Sequence, residues 1–227
     1  MTIPHGFPSL VDGTTQVVLV AGAGLSYGYL PILNELKSNL DKAANKLGIV
    51  GDGFYELAEA VLESLAKSGK PVADSRLWLA EELGLFNDRR WFGETGLPLS
   101  GNTPRHRAIA RFAVEKRLRA IVSLNWDTLL ESALISVGLD DGVRVPRPWE
   151  ITAHASVVED EHMRHLGEAH VFPFIKPHGC VRNLEQARRL SRSTGTTPPV
   201  IFKITQSDID NLPVEQTLVD KRVEVYL

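Results

Sequence analysis

The chain has 227 residues, the length of one domain or of one domain with a sizeable insertion. Hydrophobic residues make up 43% of it and charged residues 23%, which is typical of a globular protein and excludes disordered or collagen-like chains. Twenty-five Lys and Arg residues against 28 Asp and Glu residues give a net charge of −3, so no global field would attract nucleic acid or anionic lipid.

The apolar runs and the cysteine content narrow the class of protein further. The longest apolar run, residues 17–25, is far shorter than the roughly 20 residues of a membrane-spanning helix. Residues 1–13 lack the basic cluster and the apolar stretch of a secretory signal. The one cysteine, Cys180, excludes an internal disulfide and a multi-cysteine zinc site. We therefore expect a cytoplasmic protein that does not contact a membrane.

The first predicted elements are a strand and a helix joined by a glycine turn. Residues 16–21 form a continuous apolar run that ends at Gly22, which is typical of a buried parallel strand. Pro31 can occupy the first turn of a helix, and apolar residues then recur at helical spacing as far as Gly48.

A helical insertion is predicted next. A helix is expected over residues 54–67 and a shorter one after Asp74 or Ser75, followed by a loop over residues 86–102. We interpret residues 51–102 as a mostly helical insertion, because a compact domain rarely carries so long a connection without secondary structure.

The second half of the chain repeats the order of strand and helix. Thr103 and Pro104 begin a helix, a buried strand is predicted over residues 120–124, and Asp127 can cap a further helix that Gly138 ends. The buried stripe of the first of these helices is predicted to comprise Ile109, Phe112, Ala113 and Leu118.

Two further strands are predicted over residues 171–175, where Pro173 indicates an edge or a bulge, and over residues 199–203. Strands that alternate with helices indicate an α/β fold with a doubly wound, mainly parallel, Rossmann-like sheet. We expect residues 1–227 to form a single domain of this class.

Ligands of such sheets bind outside the carboxyl ends of the strands, so the residues that follow each strand are the candidate site. After the first strand come Gly22, Ala23, Gly24 and Ser26, a turn whose missing side chains let backbone N–H groups approach a phosphate. The alternative for this segment is an ordinary tight turn.

Three polar residues follow the later strands. Asn125 and Asp127 come after one strand, and His178 comes after the next. Each has a structural alternative: Asn125 tolerates turn dihedrals, Asp127 caps a helix, and a lone histidine is more often structural than catalytic. Their co-occurrence at one sheet edge, beside a phosphate turn, favours a catalytic site.

These motifs resemble those of the sirtuins, and most closely those of the sirtuin-like domains of bacterial antiphage-defence proteins. Residues 22–26 are similar to the family's Gly-Ala-Gly-x-Ser turn, and residues 28–31 to its Gly-x-Pro continuation. Residues 123–127 resemble its Thr-x-Asn-x-Asp motif, and residues 178–179 its His-Gly pair. The motifs also occur in the same order as in the family, and the resemblance spans about residues 17–208.

The resemblance implies that NAD binds across the sheet edge and that the bond between nicotinamide and ribose is cleaved. The implied cofactor-binding residues are Gly22, Ala23, Gly24, Ser26, Ser123, Asn125 and Asp127. By resemblance, Asn125 would orient the ribose and the attacking water, and Asp127 would bind the nicotinamide amide or stabilise positive charge. His178 would be the general base. NAD enters as the substrate, and no metal takes part.

Two departures from the family's pattern bear on the reaction. Deacylating sirtuins carry four zinc-binding cysteines that help to build the groove for an acyl peptide, whereas this chain has Cys180 alone. The family's Asp-Phe-Arg segment is replaced by Ile-Leu-Asn at residues 32–34, so its contact to the cofactor cannot be transferred. Both departures, with a helical insertion in place of a zinc module, resemble the NAD hydrolases of antiphage defence.

We therefore expect an NAD glycohydrolase that releases nicotinamide and ADP-ribose and acts in antiviral defence by depleting NAD. An NAD-dependent protein deacylase or ADP-ribosyl transferase is the first alternative. A catalytically silent nucleotide-binding or oligomerisation module is the second. The missing cysteines count against the first alternative, and the presence of Asn125, Asp127 and His178 counts against the second.

A competing site lies among the histidines and acids of residues 154–170, where His162 and His165 could place two imidazoles on one helical turn around a metal. The weak periodicity of this polar stretch favours a solvated segment, so no metal site is predicted.

Two other features are interpreted as structural. His106 lies near a helix N-terminus and is interpreted as a structural residue. A basic patch that we interpret as a solvated face, with no nucleic-acid partner, comprises Arg182, Arg188, Arg189 and Arg192.

The C-terminal part of the sequence affects which partners we expect for this domain. The family's pattern would continue with further strands after residue 205, whereas residues 214–227 look like a final helix. We therefore expect a fragment that lacks the C-terminal strands of the domain. In the defence proteins such a domain is joined to a sensor or effector region, so the expected partners are NAD and a second copy of the chain or a partner protein.

Overall fold

The computed structural model describes residues 17–31, 33–92, 104–115, 117–140, 152–154, 174–176 and 178–210, which form a mixed α/β structure. The strands are β1 (Val17–Ala21), β2 (Leu118–Ser123), β3 (Thr152–His154) and β4 (Phe174–Lys176), and they form a parallel sheet in the order β1-β2-β4-β3. The helices are α1 (Leu33–Lys46), α2 (Phe54–Lys67), α3 (Val72–Glu82), α4 (Pro104–Val114), α5 (Leu129–Asp140), α6 (Val181–Thr194) and α7 (Gln206–Asp210). In these ranges no helix combines the length and the apolar character that a membrane span requires.

The first predicted strand is confirmed as β1, which pairs in parallel with β2 as far as Ala21 opposite Ser123. The expectation that this strand is buried is wrong at Val20, whose side chain is 65% exposed. Within the described part of the chain β1 pairs with β2 alone, so it lies at the edge of the sheet, where fewer side chains cover it.

The predicted helices on either side of residue 50 are confirmed. α1 begins at Leu33, so Pro31 lies before the helix and not in its first turn as predicted, and the helix buries Leu36 and Leu40, which are spaced one turn apart. Gly48 follows the helix with a φ of +70°, a left-handed conformation that glycine adopts without strain. α2 has the predicted bounds, and its buried face comprises Phe54, Leu57, Ala58, Val61 and Leu65.

The rest of the insertion differs from the prediction in its boundaries. α3 begins at Val72, earlier than the predicted start after Asp74 or Ser75. The reason is that Pro71 occupies the N-cap position and its carbonyl accepts the Ser75 N–H at 2.9 Å. Part of the predicted loop is a 3-10 turn, Arg89–Phe92.

The second half of the chain contains the predicted elements with different buried faces and ends. α4 buries His106 and Ala110, whereas Phe112, which is predicted to be buried, is 47% exposed. Leu118 is buried, but as the first residue of β2, which begins earlier than predicted. Gly138 does not end α5, because a glycine ends a helix where it turns left-handed and this one is helical.

The strand predicted over residues 199–203 is wrong. In its place Phe202 forms an isolated antiparallel bridge with Gly179. The approach is close, since a Cβ built on Gly179 would lie 2.2 Å from the carbonyl oxygen of Ile201, and the φ of Gly179 is +94°. Glycine alone avoids both the collision and the left-handed strain, so residues 201–203 pass directly against the residue that follows His178.

The apolar side chains of the described residues form two cores. One core packs α4 and α5 against β2 and β4 and contains the fully buried Ile121 and Phe174. The other joins α1, α2 and α3 to α6 and contains Leu40, Leu79 and Phe202. The helical insertion is thus packed against the segment that follows β4.

An ion pair also joins α3 to the start of α7. The Arg76 guanidinium donates to both carboxylate oxygens of Asp208 at 2.7 and 3.0 Å, and the backbone N–H groups of Ile204 and Thr205 donate to the same carboxylate. Burial by itself would raise the pKa of Asp208, but these donors lower it to about 2. The insertion is therefore fixed by charge as well as by packing.

Some predictions lie outside the described residues. They concern Thr103, the first part of the strand at residues 171–173, the histidines His162 and His165, and the final helix over residues 214–227.

Candidate active site

A cleft of about 460 Å³ lies at the carboxyl ends of the parallel strands. The residues in it that the sequence predicted are Gly22, Ala23, Gly24 and Ser26 after β1, Asn125 and Asp127 after β2, and His178 after β4. Ser123, the remaining predicted cofactor residue, is not one of the described residues that line the cleft. It is buried, and its hydroxyl accepts a hydrogen bond from the Asn125 backbone N–H at 3.4 Å.

The Ser26 hydroxyl lies at the centre of a buried hydrogen-bond network. It donates to Asp127 Oδ2 at 2.8 Å and accepts from Asn125 Nδ2 at 3.2 Å. His106 Nε2 lies 3.4 Å from the same oxygen. All four side chains are buried, with exposures from 0% to 8%. The network joins the turn after β1 to the loop after β2 and to α4.

His106, which the sequence analysis interpreted as structural, is fully buried and contacts Ser26, and it is not among the described residues that line the cleft. A hydroxyl has one proton and two lone pairs, and Ser26 already donates to Asp127 and accepts from Asn125. His106 Nε2 must therefore donate to Ser26, which assigns the tautomer and leaves the buried Nδ1 without a partner among the described residues. Burial, opposed by the Asp127 carboxylate, lowers the pKa of His106, so its imidazole is neutral at neutral pH.

Asp127 and Asn125 combine structural contacts with access to the cleft. Asp127 Oδ1 accepts the Leu129 N–H at 3.0 Å and thus caps α5, as the sequence predicted. Asn125 Oδ1 is buried and has no hydrogen-bond partner in the described part of the chain. Because buried polar atoms are almost always paired, this oxygen is a place where a ligand hydroxyl or a water molecule can donate.

The turn after β1 is open to a ligand. Ala23–Leu25 form a 3-10 turn, and nothing lies within 4 Å of a Cβ built on Gly22 or on Gly24. The Arg105 guanidinium donates to the carbonyl oxygen of Gly24 at 3.2 Å, so a cation from α4 lies against the turn. An accessible backbone turn beside an arginine is an arrangement that can hold a phosphate group.

The segment after β4 brings a histidine and a lysine to the cleft. His178 is half-buried, and its carbonyl oxygen accepts the Lys203 backbone N–H at 3.1 Å. This bond and the neighbouring bridge between Gly179 and Phe202 hold the two segments together. Both His178 and Lys203 line the cleft.

The helical insertion builds an aromatic wall of the cleft. Tyr55 comes from α2 and Trp91 from the 3-10 turn, and both line the cleft, as Trp126 does. Trp126 packs against Phe202 with ring centroids 4.9 Å apart. The Trp91 carbonyl accepts the Thr128 N–H at 2.9 Å, which fixes the insertion to the start of α5. No motif identified Tyr55 or Trp91, because their place depends on how the insertion packs.

The sequence raises two other candidate sites, a basic patch and a histidine pair. On α6, Arg188 and Arg192 lie 3.7 and 3.3 Å from Glu81, and Arg189 lies 2.8 Å from Glu185, so three of the four arginines of the predicted basic patch are paired with acids. Within the ranges given above, no group of three or more His, Cys, Asp and Glu side chains could hold a metal ion. The histidine pair of residues 162 and 165 lies outside those ranges.

Comparison of the chain with protein-family models and with curated proteins found no match. The geometry of the cleft is therefore the basis on which a function can be assigned.

Proposed function

We propose that this chain is an NAD hydrolase with a doubly wound, sirtuin-type fold, and that it cleaves the bond between nicotinamide and ribose. The observation that carries the proposal is the convergence of Asn125, Asp127 and His178 with the open turn at Gly22 and Gly24 in one cleft. The volume of that cleft falls within the range of roughly 300–1,000 Å³ that is usual for small-molecule sites.

The reaction makes limited demands on the site. NAD⁺ and water give nicotinamide, ADP-ribose and a proton. As the C–N bond breaks, positive charge develops on the ribose, and nicotinamide leaves as a neutral molecule. The site must hold the ribose, stabilise this charge and position a water molecule.

The polar residues of the cleft match these demands. The unpartnered Asn125 Oδ1 can accept a hydrogen bond from a ribose hydroxyl or from the attacking water, while Ser26 holds the Nδ2 atom of the same amide. Asp127 places a negative charge beside the developing positive charge. His178 takes the proton of the water, a contribution that is typically about 10²–10⁴-fold in rate.

The rest of the cleft suits the other parts of the substrate. The open turn at Gly22 and Gly24, with Arg105 against it, can bind the diphosphate. The aromatic side chains of Tyr55, Trp91 and Trp126 offer flat apolar surfaces for a nicotinamide or adenine ring. The scheme assigns no step to a metal.

The wider role is proposed on the resemblance alone. It comprises antiphage defence through NAD depletion, a cytoplasmic location, and an assembly with further copies of the chain or with a partner protein. The single cysteine supports hydrolysis over deacylation, because the chain cannot form the four-cysteine zinc module of the deacylases.

The proposal is tested by mixing the purified chain with NAD and measuring nicotinamide release with and without an acylated peptide. We expect release without the peptide and one ADP-ribose for each nicotinamide. Release that requires the peptide would indicate a deacylase or transferase, and NAD binding without release would indicate a silent module. Either result contradicts the proposal. Repeating the assay at rising protein concentration shows whether activity depends on assembly.

A further inference from the structure

A buried ion pair lies directly behind the candidate active site. Lys176 is the last residue of β4, and its Nζ atom lies 2.8 Å from Glu131 Oε1 in the first turn of α5. The two side chains are 3% and 5% exposed. Lys176 Nζ also donates a hydrogen bond to the carbonyl oxygen of Asp127. Neither member of the pair is among the described residues that line the cleft.

The pair connects the two segments that carry catalytic groups. Asp127 accepts the N–H of Leu129, the first residue of α5, and Glu131 lies in the first turn of the same helix. Lys176 precedes His178 by two positions, so its ammonium group holds the start of α5 against the strand that leads to His178. The Ser26 hydroxyl bonds the side chain of Asp127, whereas Lys176 bonds its carbonyl oxygen, and the described hydrogen bonds of the Ser26 hydroxyl include no residue of β4.

Lys176 keeps its charge in the interior. Burial by itself lowers the pKa of Lys176, but the neighbouring Cys180, Glu131 and Asp127 outweigh it, and the pKa of Lys176 is raised. Burial raises the pKa of Glu131, an effect that the Lys176 ammonium opposes. Lys176 is therefore cationic at neutral pH and is the counter-ion of the buried Glu131 carboxyl group.

The ion pair between Lys176 and Glu131 is not expected to stabilise the fold more than an apolar contact of similar volume would. Taking two charges out of water costs about as much as their attraction returns, and apolar residues of similar volume are often as stable or more stable. Moreover, Glu131 Oε2 has no hydrogen-bond partner among the described residues. What the pair adds over an apolar contact is a set of directional bonds between β4 and α5.

We propose that Lys176 and Glu131 are positioning residues, which set the place of Asp127 relative to His178 without touching the substrate. This inference rests on the proposed NAD hydrolysis. A displacement of about 1 Å in a reacting group can lower a rate by about 10²-fold, so loss of the pair should reduce turnover even where the fold survives.

The first test replaces the whole pair by apolar residues. The Val181 N–H donates to the Trp126 carbonyl at 2.9 Å and links the same two segments, so the double variant Lys176→Met/Glu131→Leu should fold. We expect its Tm within a few degrees of wild type, its kcat for nicotinamide release lowered by about 10–100-fold and its affinity for ADP-ribose within about 3-fold.

The single variant Lys176→Met leaves an uncompensated buried carboxylate and should lose far more thermal stability than the double variant.

A second test separates the directional bond from the charge. Glu131→Gln and Glu131→Met both remove the charge, but only the glutamine keeps an oxygen that accepts from Lys176. We expect the glutamine variant to retain kcat within about 3-fold and the methionine variant to lose about 10-fold or more. The matched control is Lys46→Met, which breaks the exposed 2.6 Å pair with Glu82 and should leave kcat and Tm unchanged.

The outcomes separate this inference from the proposed function. A double variant with wild-type kcat overturns the positioning role, and so do equal kcat values in the two Glu131 variants. A wild-type chain that releases no nicotinamide overturns the proposed function and the positioning role together.

Discussion

Ser26 and Asp127 are 101 positions apart in the chain, yet the Ser26 hydroxyl donates a hydrogen bond to the Asp127 carboxylate at 2.8 Å. The same hydroxyl accepts from Asn125 and lies against His106. The turn that follows β1, the loop that follows β2 and the first helical turn of α4 are therefore held by one oxygen atom. Displacement of any of these segments changes the place of the groups assigned to catalysis.

Ser26→Ala should damage both activity and stability. The substitution leaves the Asn125 amide, one Asp127 oxygen and His106 Nε2 without their common partner, and an unpaired buried group costs about 1–3 kcal/mol. We expect nicotinamide release to fall by about 10²-fold. The matched control is Ser68→Ala, since that hydroxyl bonds the Leu65 carbonyl at 2.7 Å at the end of α2, in no contact with the network. Equal activity in the two variants would contradict the role of Ser26.

Asn125→Ala and His178→Ala should each remove nicotinamide release and leave the Tm within a few degrees of wild type. The first removes the carboxamide that orients ribose and water, and the second removes the base, with losses of about 10²–10⁴-fold. Asn39→Ala is a suitable control, because it also deletes a hydrogen-bonded amide, one that donates to the Leu83 carbonyl at 3.1 Å within the insertion. If both site variants stay active, the assignment of the active site is wrong.

The buried neutral His106 predicts a loss of stability on mild acidification. In the unfolded chain this histidine takes up a proton near pH 6.5. In the folded chain its pKa is lowered, so protonation requires a lower pH. Between the pKa of His106 in the folded chain and its pKa in the unfolded chain, the unfolded state binds more protons than the folded state. The free energy of unfolding therefore falls as the pH falls, by at most about 1.4 kcal/mol per pH unit.

Urea unfolding of the wild type and of His106→Gln over about pH 7 to pH 5 checks this slope. The remaining histidines are common to both chains, so the difference between the two curves reports His106. We expect the slope to be shallower in the variant. Parallel curves would show that His106 does not stay neutral in the folded state.

Gly179→Ala should be far more costly than an alanine at another left-handed glycine. A Cβ at residue 179 would lie 2.2 Å from the Ile201 carbonyl oxygen, whereas a Cβ at Gly69, which has a φ of +83°, meets nothing within 4 Å. Gly69→Ala should therefore lower the free energy of unfolding only by the left-handed backbone strain of about 1–2 kcal/mol. We expect Gly179→Ala to lower the Tm by several degrees more and to reduce activity, because His178 is the adjacent residue. Equal Tm values, measured by circular dichroism, would contradict the close approach.

The elements that the sequence predicted correctly are those specified by local interactions. The apolar run of β1, the spacing of Leu36 and Leu40 on α1 and the cap at Asp127 depend on residues within a few positions of one another. The short strand β3 and the helix α6 were not predicted. The exposure of Phe112 and the helical conformation of Gly138 differ from the prediction because neighbouring elements decide which face of a helix is covered and where it ends.

The same distinction applies to the candidate site. The order of strands along the chain was enough to predict that Gly22, Asn125 and His178 gather, because the carboxyl ends of parallel strands lie at one edge of a sheet and each residue follows a strand. The contact between His106 and Ser26 and the aromatic wall from the insertion could be found only in the folded chain. These contacts join segments far apart in the chain, and their partners are selected by the packing of whole elements, which no local pattern of residues encodes.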